Sequence, residues 1–123
     1  MMRRAAKVDA NHRAVVNLFR AYGCSVQSLA AVGDGVPDLL VGRFGRSHLV
    51  EVKDGSKPPS QRKLTKAQVA WRDAWKGSTI HVVTNLGDVS ALSIAWAQGR
   101  ETPDDGVDSV LDLENLKHDK VTR

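Results

Sequence analysis

The chain has 123 residues, 41% of them hydrophobic, which is enough for one domain with its own core, and its single cysteine, Cys24, excludes an internal disulfide. No apolar run is long enough to span a bilayer and the charged stretch 1–7 lacks the apolar segment of a signal peptide, so the expected location is the cytoplasm. The formal charge of +4 is unevenly spread: 14 Lys and Arg stand against 7 Asp and Glu through Gly99, and 4 against 7 from Arg100 onward. Residues 1–99 therefore read as one basic domain suited to a polyanionic partner, and 100–123 as an acidic tail.

In residues 9–22, Val15, Leu18, Phe19 and Tyr22 fall at i, i+3, i+4 and i+7, the apolar stripe of a helix that Gly23 ends. Continued backwards, the stripe places Asn11 on the inward face, where it either caps the helix or belongs to a site. Cys24 reads as a small packed residue. Residues 25–32 read as a strand, followed by Gly33-Asp34-Gly35-Val36-Pro37. Two glycines at this spacing do not make a phosphate-cradling loop, so the segment reads as the bend that delivers Asp38, with Asp34 a solvated turn residue or a minor rival ligand.

Residues 38–43 and 47–53, rich in Leu and Val, read as two strands around a Phe44-Gly45 turn. If that turn has two residues, Arg43 pairs with Arg46, Val41 with His48, Leu39 with Val50 and Asp38 with Glu51. Directly opposed residues share a face, so Asp38 and Glu51 stand side by side, with Lys53 on the same face two residues on. A three-residue turn would instead set Asp38 opposite Val52 and send the two acids to different faces. Adjacent carboxylates are tolerated when a cation sits between them, and oxygen ligands without Cys or His favour Mg2+ or Mn2+ over zinc. A Lys beside such an ion positions water or offsets charge on a phosphate, which points to phosphodiester hydrolysis.

Residues 54–63 are polar, contain Pro58-Pro59, and carry Lys57, Arg62 and Lys63; with Lys66 beyond them they suit a loop at the mouth of the site that contacts nucleic-acid phosphates, or simply an exposed connection. Thr65 and Gln68 have the spacing of a capping box and start a helix expected to reach Trp75, with Gly77 closing it. Trp71 and Trp75 share a face of that helix, as core or dimer-interface residues or as a stacking platform for bases. Residues 79–84 read as a buried strand in which His81, with no His or carboxylate partner at ligand spacing, reads as a packed histidine rather than a metal ligand. Residues 88–98 read as a helix with Leu92, Ala95 and Trp96 inward, and Val107, Val110 and Leu111 suggest a short helix in the tail.

The element order gives an α/β fold, a mixed β-sheet flanked by helices in the order αβββαβ. With Gly35-Val36-Pro37-Asp38 leading one strand and Glu51-Val52-Lys53 ending the next, the sequence resembles the PD-(D/E)XK nuclease superfamily with its restriction-endonuclease-like fold. Within it, residues 9–85 look most like the VRR-NUC and Holliday-junction-resolvase-like groups, small phage-type members included. The resemblance implies that Asp38, Glu51 and the backbone carbonyl of Val52 hold one or two Mg2+ or Mn2+ ions, that Lys53 serves the attacking water, and that Gln68 helps order the site. It implies a DNA substrate, branched DNA among the options, a homodimer to hold two sites apart, and, for a phage-encoded chain, the host cytoplasm. The family often carries a Glu on the first helix; here no Glu precedes Glu51, and Asn11 holds the inward position as a neutral candidate ligand. That departure motivates two alternatives: a nucleic-acid-binding module that kept the fold without the chemistry, and an interaction protein working through its Trp face.

Overall fold

Val15 and Phe19, four residues apart on one helical face, are fully buried and anchor the first helix, α1 (Ala10–Ala21), in the computed structural model of the protein, which describes residues 10–103. The chain turns back at Gly23 into β1 (Ser25–Ser28). This strand is shorter than the 25–32 expected because its partner begins late: the ladder closes with Ser28 opposite Leu39. The Leu29 amide then donates to the Asp38 carbonyl at 2.6 Å, and the chain leaves the sheet in a series of turns.

Strands β2 (Leu39–Arg43) and β3 (Arg46–Val52) form an antiparallel hairpin in which Arg43 faces Arg46, Val41 faces His48 and Leu39 faces Val50. The turn is Phe44-Gly45, and both residues have positive φ (54° and 76°), the type I′ geometry whose twist matches that of paired strands. The Arg43 guanidinium lies 4.3 Å from the centre of the exposed Phe44 ring.

A stretch of tight turns with a 3-10 turn at Pro59–Gln61 leads to α2 (Lys66–Ala74). Strand β4 (Ile80–Val83) then pairs parallel to β3, and α3 (Leu86–Ala97) starts at Asn85, whose side chain accepts the Asp88 amide at 2.9 Å. The sheet order is β1-β2-β3-β4. The result is the expected mixed sheet flanked by helices, closed by α3.

Strand alternation decides which face does what. Leu39, Val41, Val50 and Val83 point to the side covered by α1 and α3, where Phe19 and Trp96 stack with ring centres 5.7 Å apart. Burying each such side chain contributes about 1.5–3 kcal/mol, so this layer supplies much of the folding energy. Cys24 is buried in it, and burial pushes its thiol pKa up, which suits an inert packed residue. The other face carries α2. Trp71 and Trp75 stack there at 4.8 Å, Trp75 with 44% of its surface exposed, beside an apolar cleft of about 330 Å³ lined by Leu29, Val36, Leu40 and Leu49. Neither Trp enters the main core. Among the described residues no helix is long and apolar enough to cross a membrane. The short helix expected near Val110 lies outside the described residues.

The bend at 33–37 sets how closely α2 approaches the sheet. Gly35 has φ +84°, and a Cβ there would lie 2.2 Å from the Ala67 carbonyl oxygen in the first turn of α2. Gly33 also has positive φ (+74°), but nothing lies within 4 Å of its missing Cβ. Gly33→Ala is therefore expected to cost only the left-handed backbone penalty, about 1–2 kcal/mol. Gly35→Ala adds a clash with backbone and is expected to cost at least twice as much in urea unfolding. Equal losses at the two positions would show that α2 does not rest on Gly35.

Candidate active site

Extending the hairpin register by one pair puts Asp38 opposite Glu51, and the side chains meet there. Asp38 Oδ2 accepts the Val52 amide at 2.8 Å, which turns its carboxylate toward β3. Glu51 is 3% exposed. Its Oε2 accepts from Gln68 Nε2 at 2.8 Å and lies 3.7 Å from Lys53 Nζ, while its Oε1 is buried with no hydrogen-bond partner. Burial first, and then the neighbouring Asp38 carboxylate, push the Glu51 carboxyl from its ordinary 4.5 up to about 8, against the opposing pull of Lys53. The Lys53 ammonium thus does not offset the combined effect of burial and of the second carboxylate.

Gln68 ties the group together. Its Oε1 accepts from the Thr65 amide at 2.8 Å and from Lys53 Nζ at 2.8 Å. The Thr65 hydroxyl accepts the Gln68 amide in return at 3.2 Å, completing the capping box expected from the sequence. With the amide oxygen held by two donors, the amide nitrogen must face Glu51. The residue that caps α2 is also the one that orients the carboxylate and the amine.

Asn11 sits inside the first turn of α1, so it is not the helix N-cap. Its Nδ2 donates to the Lys53 carbonyl oxygen at 2.7 Å and fastens α1 to the end of β3. Lys57, Lys63 and Lys66 are exposed, and Arg62 is half-buried with its Nε lacking a partner. Lys57, Arg62 and Lys63 lie between the end of β3 and the start of α2, and Lys66 is the first residue of α2, on the chain that leads into Gln68. Asp34 is exposed at the bend. The 54–63 connection is tied down at its start: Gly55 donates to the Thr84 carbonyl at 2.9 Å, and Asp54 Oδ1 accepts from the Ser56 amide and hydroxyl at 2.9 and 2.7 Å.

His81 is packed, as expected, but it has partners far from it in sequence. His48 Nδ1 and His81 Nε2 both lie against Glu101 Oε2, at 2.8 and 2.6 Å. The three residues are 33 and 20 positions apart, so no sequence spacing advertises them. The available signal was structural: both histidines fall on inward positions of strands that pair in parallel. Glu101, counted with the acidic tail, is fastened to the body, and its carbonyl also accepts the Trp96 indole N–H at 2.9 Å.

This structure is similar to a solved structure of a "VRR_NUC domain", with a TM-score of 0.50 and 29% identity over 65% of this chain and 86% of that one. No family model matches the sequence, and no curated protein matches it. The fold is that of a VRR-NUC, PD-(D/E)XK-like nuclease domain.

A folded Glu51 keeps its proton to higher pH than an unfolded one, so between 4.5 and about 8 the folded state binds more protons. The stabilisation is full below that window and gone above it. With divalent cations chelated, stability to urea is expected to fall as pH rises through the window, and Glu51→Gln to flatten the slope. A wild-type profile no steeper than that of the variant would contradict a buried Glu51 beside a second carboxylate.

Proposed function

We propose that the protein is a Mg2+- or Mn2+-dependent DNA endonuclease that hydrolyses phosphodiester bonds, with branched or otherwise structured DNA as substrate. The observation that carries this reading is the half-buried Asp38 beside the buried Glu51, a pair undercompensated by Lys53 and presenting a Glu51 oxygen that no donor satisfies. An unfilled buried carboxylate oxygen beside a second carboxylate fits a hard cation, and an all-oxygen donor set fits Mg2+ or Mn2+ rather than zinc. Asp38, Glu51 and the Val52 carbonyl would hold the ion. When bound, it supplies a Lewis acid at the scissile phosphate.

The protein groups do the rest. Lys53, held by Gln68 and 13% exposed at its side chain, presents a fixed ammonium that orients water and offsets charge growing on the phosphate. Gln68 is a positioning residue for both Lys53 and Glu51. Asn11 is assigned to holding the Lys53 backbone, leaving only its Oδ1 free to join the ligands. Lys57, Arg62, Lys63 and Lys66 supply phosphate contacts that place the DNA without reading sequence. Cutting branched DNA calls for two sites at a fixed separation, hence a symmetric dimer.

The second reading is a nucleic-acid-binding module without chemistry, favoured by the absence of any Glu from α1. Cleavage decides between them. With Mn2+ and duplex, flap and four-way-junction substrates, Asp38→Asn, Glu51→Gln and Lys53→Ala are each expected to lower the rate by about 10²–10³ while DNA binding persists. Metal-independent binding with no product from the wild-type protein would leave the binding module standing.

The capping residues give a separate check. Thr65→Ala and Gln68→Ala are each expected to cost about 1 kcal/mol of stability. Only Gln68→Ala should slow cleavage, by about 10–100-fold, the usual scale for residues that orient metal ligands. Equal cleavage by the two variants would confine Gln68 to helix capping.

A further inference from the structure

We infer that His48, His81 and Glu101 form a second metal site, one that takes a transition-type divalent ion of the Zn2+ class. It is separate from the acid pair by construction. On β3, His48 alternates with Glu51, so the imidazole lies on the face packed by α1 and α3 and the carboxylate on the face packed by α2.

Three ligand atoms of the right kind converge there. His48 Nδ1, His81 Nε2 and a Glu101 carboxylate oxygen all lie within 4.8 Å of one another. The two histidines are 2% and 6% exposed, against a core cluster of Val, Leu, Phe, Trp and Cys24. Buried imidazoles in apolar surroundings are costly unless their polar atoms are engaged, and here both depend on a single carboxylate oxygen. An ion held by two nitrogens and one oxygen engages all three groups at once. That donor set suits zinc and its first-row neighbours and suits Mg2+ poorly, the reverse of the site on the other face.

The orientation of the ligands is held from outside the cluster. The Trp96 ring stacks on His48 at 3.8 Å with planes 6° apart and meets His81 edge-on at 5.7 Å. The Trp96 indole N–H holds the Glu101 backbone carbonyl at 2.9 Å, which sets the carboxylate over the histidines. The ion has a route in, because the Glu101 side chain is 32% exposed and a cleft of about 300 Å³ between β4, α3 and Thr102-Pro103 opens beside His81. A solvent molecule from that cleft completes the coordination. The ligands come from β3, from β4 and from the residues after α3, so the ion staples the end of the domain to the middle of its sheet.

The test uses the full chain carrying Asp38→Ala, so that the acid pair does not compete. After equilibration with Zn2+ and desalting, one equivalent of zinc should remain by elemental analysis. Co2+ should give the intense visible absorption of a low-symmetry, nitrogen-containing site. Histidine 15N spectra should shift at His48 Nδ1 and His81 Nε2 while His12 stays put. Glu101→Gln, which preserves size and one acceptor, should bind Zn2+ at least tenfold more weakly and lose the thermal stabilisation that Zn2+ gives its parent. Failure of the Asp38→Ala protein to retain Zn2+, imidazole spectra unchanged by zinc, or equal affinity in Glu101→Gln would each overturn the site and leave a metal-free imidazole–carboxylate contact.

Discussion

Two carboxylates set side by side, one of them buried, repel each other, and the molecule keeps Asp38 beside Glu51 by fixing the hairpin that carries them. A one-residue slip would send the acids to opposite faces. The type I′ turn at Phe44-Gly45 forbids that slip, because both of its residues adopt positive φ and its length admits only the pairing observed. The repulsion is then only partly offset. Asp38 takes a backbone amide, Glu51 takes the Gln68 amide, and Lys53 stands 3.7 Å off, yet Glu51 remains easier to protonate than an ordinary carboxylic acid. A site arranged to be unfavourable when its acids are both charged is one that gains from a cation.

Gln68 links that electrostatic problem to the fold. One side-chain amide closes the capping box of α2, holds the Lys53 ammonium and hydrogen-bonds Glu51. The start of the helix and the arrangement of the site are therefore a single structure. Gly35 allows it, since α2 approaches the bend so closely that its Ala67 carbonyl occupies the space a side chain would need. Helix capping, usually a matter of stability alone, here decides where a donor points.

The hairpin was legible because its signals are local: a two-residue turn, period-two alternation and acids at mirrored distances from the turn. The same holds for Thr65 and Gln68, whose spacing names their hydrogen bonds. The short β1 was not legible, because a strand ends where its partner ends, and the partner's start at Leu39 is a tertiary fact. His48, His81 and Glu101 were illegible for a related reason. Nothing nearby in sequence marks them, and their meeting depends on β4 running parallel to β3 and on the chain doubling back after α3. His81 on its own reads as core, which its burial bears out, but the core it joins is not wholly apolar.

Strand β3 therefore serves two chemistries from one backbone. Its residues alternate, so each face of the sheet receives its own set: Glu51 and, beyond the strand, Lys53 toward α2, and His48 with Val50 toward α1 and α3. An all-oxygen donor set collects on one side and the two imidazoles with Glu101 on the other, and a close-packed layer of backbone lies between them. An ion suited to one set is poorly suited to the other, because carboxylate and carbonyl oxygens match small hard cations while imidazole matches the softer first-row metals. A zinc-class ion held on the α3 side would therefore stabilise the sheet without occupying the acid pair. The alternation that fixes the register of Asp38 and Glu51 is the same alternation that keeps the two donor sets apart.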